Sequence, residues 1–165
     1  WQVGGFLATW IIAYGIVQAF APVITGRRKG IVPDGRTACA WAAALAIVPV
    51  SIALVLSQDI APMPALIGGL LVFGALFAVN SSLHSYLIVA YAQEDGVSLD
   101  VGFYYMSNAL GRLLGTVLSG GLFQAWGLNA CLWVSSAFVT LAALIALKLP
   151  KAPAAPPLGD VPAGD

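Results

Sequence analysis

Five stretches of the chain, Trp1 to Ile24, Ala38 to Leu56, Ala65 to Tyr91, Val101 to Gln124 and Leu128 to Leu149, run for 19 to 27 residues with Arg112 and Lys148 as their only charged side chains. At a rise of about 1.5 Å per residue, each is long enough, or nearly so, for the roughly 30 Å hydrocarbon core of a bilayer. Strands of a membrane barrel need only about ten residues. In lipid every backbone N–H and C=O must find an internal partner, so stretches of this length read as helices. The expectation is an all-α integral membrane protein in which five transmembrane helices form one bundle over residues 1–149. Composition agrees: the chain is 60% hydrophobic and 8% charged, against about 25% charge in soluble domains. From Pro150 the sequence turns to alanine, proline and glycine, and residues 150–165 are expected to be a disordered tail. Pro49 lies inside the second stretch and is expected to kink it.

Orientation follows from the seven lysines and arginines. Arg27, Arg28, Lys29 and Arg36 fall between the first and second stretches, and Lys148 and Lys151 close the fifth. Counting crossings places all six on one face. The opposite connections, 57–64 and 125–127, carry none. The positive-inside rule puts the basic loop and the C-terminus in the cytoplasm. The loop at 92–100 falls on the same face despite Glu94, Asp95 and Asp100, because acidic residues contribute little to orientation. The sequence has no methionine before Trp1, which already lies in an apolar stretch. It carries no basic leader of a signal peptide. A piece of a longer protein is expected. Cys39 and Cys131 have neither metal-ligand nor disulfide spacing and read as small buried apolar residues. No metal or cofactor is expected, and no nucleic-acid partner.

Arg112, the seventh basic residue, stands about 17 Å into the fourth stretch. An arginine at that depth costs about 2.5–3.5 kcal/mol on insertion scales, and such residues face a bundle interior, a partner or a water-filled path. With Asn108 set at zero and 100° per residue, Gly111, Arg112, Gly115 and Ser119 fall within an arc of about 100°. Small residues on such a face let another helix approach, and the same face offers Arg112 and Asn108 to whatever lies between. Tyr105 sits one turn earlier. The third stretch carries the densest polar run, Asn80, Ser81, Ser82, His84, Ser85 and Tyr86, with Asn80 and His84 on one face. His84 reads equally as a proton relay or as an interhelical hydrogen-bonding group.

Three classes of function fit: one half of a transporter with polar groups at mid-depth, an intramembrane hydrolase using Ser119 with His84 as base, or a structural anchor. The hydrolase pattern Gly-x-Ser-Gly fails here, since Val117 stands at its first position. An arginine at mid-bilayer depth argues against an inert anchor.

The residues also carry a resemblance. Gly-Arg-Arg-Lys-Gly at 26–30 and Asn-Ala-Leu-Gly-Arg-Leu-Leu-Gly-Thr-Val-Leu-Ser-Gly-Gly at 108–121 resemble the C-terminal half of a major facilitator superfamily transporter. The five stretches would then correspond to spans 8–12 of a twelve-helix protein. More narrowly, Phe-Ala-Val-Asn-Ser-Ser-Leu-His-Ser-Tyr-Leu-Ile-Val at 77–89, Asp-Gly-Val-Ser-Leu-Asp-Val-Gly-Phe-Tyr-Tyr-Met at 95–106 and Gly-Arg-Leu-Leu-Gly-Thr at 111–116 resemble the ArsJ family of organoarsenical efflux permeases. That resemblance implies a non-enzymatic, multi-pass protein of the bacterial cytoplasmic (inner) membrane. Its implied activity is export of 1-arseno-3-phosphoglycerate, giving arsenate resistance together with glyceraldehyde-3-phosphate dehydrogenase as functional partner. Arg112, Asn108, Tyr105, Asn80 and His84 would bind the solute, and His84 would be the candidate for proton coupling. An exporter of another phosphorylated metabolite or of a drug is the alternative.

Overall fold

The computed structural model describes residues 1–25, 33–58, 62–92 and 96–149. Arg27, Arg28, Lys29 and the tail from Pro150, Lys151 included, lie outside the described residues. Four helices make up the fold: α1 (Gln2–Ile24), α2 (Gly35–Ser57), α3 (Pro62–Tyr91) and α4 (Val97–Ala146). All four are long and apolar enough to cross a membrane.

The sequence divides into five stretches where the structure has four helices, and the difference lies in α4. Its 50 residues would measure about 75 Å if straight. They are not straight. Gly127 has φ 76° and ψ −173° inside it, a backbone conformation essentially restricted to glycine. Beyond that point the axis reverses, because the Cys131 thiol reaches the Ser119 carbonyl oxygen at 3.5 Å, whereas residues twelve apart on a straight helix stand about 18 Å apart. Thus α4 is a hairpin of two arms, residues 97–126 and 128–146, that meet with a single residue off the helical path. Helix boundaries shift as well. Gly35 rather than Ala38 opens α2, and α4 begins at Val97, so Asp100 belongs to its first turn and not to a loop.

Local chemistry explains the start of α2. The Asp34 carboxylate accepts hydrogen bonds from the Thr37 N–H and the Thr37 hydroxyl, each at 3.0 Å, satisfying donors that a helix N-terminus leaves open. The Thr37 N–H bond is the main influence holding this carboxyl below its ordinary range; partial desolvation opposes it, and the Thr37 hydroxyl and Arg36 add to it. Pro49 is buried within a continuous α2.

α2 is the centre of the bundle. It buries Ala38, Ala42, Leu45, Pro49 and Ile52, with Ala46 and Ala53 beside them, and the steps of four and three residues make one continuous stripe. Alanines on that stripe let neighbours come close. On one side Gly69 of α3 sits directly against the Ile52 side chain. On the other, Ser136 of the second arm, itself buried, donates its hydroxyl to the Ala46 carbonyl at 2.8 Å. Gly35 lies so near the Ala146 carbonyl and Leu149 that a Cβ there would stand 2.6 and 2.9 Å from them. The pairs 35 with 146 and 46 with 136 show that the second arm runs antiparallel to α2. Arg36 and Lys148 therefore lie at the same end of the bundle, both exposed.

α1 packs on the far side of α3 and, among the described helices, on α3 alone. Trp10 is the anchor. Its indole N–H donates to the Leu70 carbonyl at 3.0 Å, and its ring lies over Gly74, where a Cβ would come within 2.7–2.9 Å of the indole. Tyr14 continues the contact, stacked on Trp10 at 5.7 Å between centroids and tilted against Phe77 at 5.9 Å. The order across the bundle is thus α1, α3, α2 and the second arm of α4.

Candidate functional site

The polar residues singled out in the sequence fall on two elements. Asn80 and His84 lie on α3, and Tyr105, Asn108 and Arg112 on the first arm of α4. Contacts between these elements are few. No hydrogen bond or ion pair joins the two groups among the described residues.

On α3, the ring Nδ1 of His84 lies 2.8 Å from the Asn80 carbonyl oxygen. A carbonyl oxygen only accepts, so Nδ1 carries the proton in this arrangement and Nε2 is left as the basic atom of the neutral ring. The Asn80 side chain is partly buried, and its Oδ1 is enclosed without a hydrogen-bond partner among the described residues. An enclosed amide oxygen of this kind is costly unless something donates to it. Ser85 instead satisfies itself locally, donating to the Ser81 carbonyl at 3.0 Å.

On α4, the whole of the predicted arc is open. Asn108 and Arg112 are exposed, and a Cβ built at Gly111 or Gly115 would meet nothing within 4 Å. The small-residue face expected to receive another helix is therefore uncovered by any described residue. This surface is apolar as well as open: Leu110, Leu113, Leu114 and Val117 are exposed beside it. Local bonds hold the backbone regular along this arm. Thr116 donates to the Arg112 carbonyl at 2.8 Å and Ser119 to the Thr116 carbonyl at 3.1 Å, while the Arg112 guanidinium forms no ion pair among the described residues. Tyr105 is set edge-on to Tyr104, with centroids 5.5 Å apart and an interplanar angle of 68°.

The hydrolase alternative has no geometric support. Ser119 donates its hydroxyl along its own helix and His84 is bonded to Asn80; nucleophilic catalysis needs the two in hydrogen-bond reach of each other. Both cysteines are free and partly buried, with Cys131 at the α4 reversal.

Three positions that organise the helices escape a reading by polar residues. Trp10 and Gly74 form a ring-over-glycine contact between α1 and α3, and Ser136 ties the second arm of α4 to α2. A tryptophan in an apolar stretch carries an obligatory donor, which was the available signal for Trp10. Nothing separates Ser136 from its neighbour Ser135 without knowledge of the α4 hairpin.

No curated protein and no solved structure matches the chain. A family model described as Major Facilitator Superfamily matches residues 2–165. That match covers almost the whole sequence and agrees with an all-helical arrangement of long apolar helices: the chain belongs to the major facilitator superfamily, a family of multi-pass membrane transporters.

Proposed function

We propose that this chain contributes five spans, the α4 hairpin supplying two of them, to a secondary active exporter of 1-arseno-3-phosphoglycerate. Glyceraldehyde-3-phosphate dehydrogenase would make the solute from arsenate, and export would give arsenate resistance. The observation that carries the reading is Arg112: a permanently charged fork on an open face of a membrane-length helix, beside Asn108 and with no ion pair to a described residue. A guanidinium matches phosphate, arsenate and carboxyl oxygens by paired N–H donors. Tyr105, about one turn before Asn108 and two before Arg112, supplies a hydroxyl donor. Asn80 and His84 on α3 would complete the polar lining, with the enclosed Asn80 Oδ1 available to a solute hydroxyl and His84 Nε2 to a proton. The specific solute rests on the strings at 77–89, 95–106 and 111–116; the alternative is an exporter of another phosphorylated metabolite or of a drug, in the same cytoplasmic membrane and with the C-terminus cytoplasmic.

Everted vesicles carrying the full-length protein test this. Given the dehydrogenase, its substrate, NAD and arsenate, they should accumulate arsenic, and arsenite should not accumulate. Equal accumulation without the dehydrogenase would replace the proposed solute by free arsenate. In the same vesicles His84→Gln should remove the pH dependence of transport; a retained dependence moves proton coupling to another residue.

A further inference from the structure

The bundle end where α2 starts and the second arm of α4 stops carries two exposed cations. Gly35 touches that arm closely: a Cβ built on it would stand 2.6 Å from the Ala146 carbonyl oxygen and 2.9 Å from the Leu149 Cβ. Arg36 follows Gly35 and Lys148 precedes Leu149, so their Cα atoms lie within about 14 Å of each other. Both side chains are exposed, and neither has an ion pair to a described residue. Asp34 stands two residues before Arg36, but its Oδ1 accepts both Thr37 bonds. Arg36 is the weakest of the influences on that carboxyl, so the two do not form a close pair.

The face of α2 that continues from Arg36 is apolar and turned outward. Ala40, Ala43, Ile47, Ser51 and Leu54 are exposed, and from Arg36 they follow steps of four, three, four, four and three residues, which keeps them on one helix face. The stripe runs about 27 Å, longer than the roughly 15 Å of one leaflet's hydrocarbon. Its hydroxyl is satisfied within the helix, since Ser51 donates to the Ile47 carbonyl at 2.9 Å. Lys148 has a similar setting, with Phe138, Leu141 and Ile145 exposed at steps of three and four before it. A cation at the membrane surface above such a stripe is complementary to an amphiphile with an anionic head and hydrocarbon chains.

We propose that Arg36 and Lys148 bind the headgroup of an anionic phospholipid, with an acyl chain lying along the Ala40, Ala43 and Ile47 stripe of α2. Guanidinium and ammonium groups both hold phosphate oxygens, the first by paired N–H donors. Basic groups at a membrane surface each strengthen binding of anionic lipid about fivefold. Phosphate chemistry is shared by a lipid head and a free ion; the stripe selects the lipid, because a free ion gains nothing from it. The site uses α2 and the second arm of α4, which carry none of the residues proposed to bind the solute, and it does not require the arsenical reading.

The test is equilibrium binding of pyrene-labelled phosphatidylglycerol to the purified full-length protein in uncharged detergent, with pyrene-labelled phosphatidylcholine of equal chain length as the comparison. The wild type should bind the anionic lipid at least about tenfold more tightly. Arg36→Gln and Lys148→Gln should each weaken it about fivefold, and the double variant should bind both lipids alike. Arg36→Lys, which keeps the charge, should retain most of the preference, and that retention together with unchanged elution of the double variant separates a lost site from a lost fold. Short-chain dihexanoyl phosphatidylglycerol and inorganic phosphate should compete poorly; competition by phosphate as strong as by the long-chain lipid makes this a free-anion site and overturns the proposal. Replacing Arg27, Arg28 and Lys29 by glutamine should leave the preference standing. Its loss there, or its survival in the Arg36 and Lys148 double variant, assigns anionic-lipid binding to the basic loop and equally overturns the proposal.

Discussion

Gly74→Ala is a one-methyl change whose cost can be worked out from a single contact. The new Cβ would stand 2.7 Å from the Trp10 Nε1, 2.8 Å from Cε2 and 2.9 Å from Cζ2, all inside the closest approach of real Cβ atoms. These atoms belong to a rigid ring, so relief requires the whole indole to lift. Lifting it stretches the 3.0 Å bond from Nε1 to the Leu70 carbonyl. Overpacking of this kind costs about 1–3 kcal/mol, and the hydrogen bond within a membrane bundle contributes about 0.6 kcal/mol more. The expected destabilisation is therefore about 1.6–3.6 kcal/mol. Trp10→Leu removes the colliding atoms, so Gly74→Ala in that background should cost under about 0.5 kcal/mol, a coupling of about 2 kcal/mol between the two positions. Denaturant titration of the full-length protein in micelles, across the wild type, both single variants and the double variant, measures this directly. A neutral Gly74→Ala, or one equally costly with and without the indole, refutes the ring-over-glycine account of the α1–α3 joint.

Gly127→Ala forces an L residue into φ 76°, ψ −173° and should cost about 1–3 kcal/mol, read in the same titration; wild-type stability would deny the α4 reversal. The Asp34 carboxyl sits below its ordinary value of 3.8 in the folded protein, so its contribution is present above that value and lost as pH falls through the lower folded one. Asp34→Ala should cost about 1 kcal/mol at neutral pH, and Asp34→Asn should flatten the stability profile on the acid side, as pH falls through and below 3.8; an unchanged acid limb assigns it to other carboxyls. Arg112→Ala should abolish export with the protein still inserted, and Arg112→Lys should retain part of it, since charge survives but the paired donors do not; normal efflux by the alanine variant removes Arg112 from the site. With Cys39 and Cys131 replaced, Ala61→Cys should label in intact cells with an impermeant thiol reagent and Gly30→Cys should not; the reverse pattern inverts the topology.

Hydrophobic runs locate helices because lipid-length segments must satisfy their own backbones, and this is why α1, α2 and α3 are legible to within three residues at each end. The α4 hairpin is legible in part. Leu122, Ala125 and Trp126 before Gly127 and Leu128, Ala130 and Cys131 after it continue an apolar helical pattern, so the helix persists up to the turn and the reversal rests on one glycine and its positive φ. Helix pairing is harder to read. Ala38, Ala42 and Ala46 mark a close-packing stripe on α2, but many other alanines and glycines would serve equally, and the hydrophobic effect gives no preference among apolar faces in lipid. The polar residues were visible as types and spacings. Their relation was not: Asn80 and His84 turn out to be joined through one main-chain oxygen, while Asn108 and Arg112 share an arc with both side chains exposed.

The attachment of α1 to α3 alone among the described helices makes the bundle a series linkage. A tilt or slide of α1 has one route to α2 and the second arm of α4, and that route runs through the body of α3. The Trp10 joint sits at one height on this helix, beside Leu70 and Gly74, and the Asn80–His84 pair begins less than two turns further along. Any displacement that α1 delivers at the joint therefore arrives first at the helix holding the enclosed Asn80 oxygen, so a buried polar atom without a partner among the described residues lies directly downstream of that mechanical coupling.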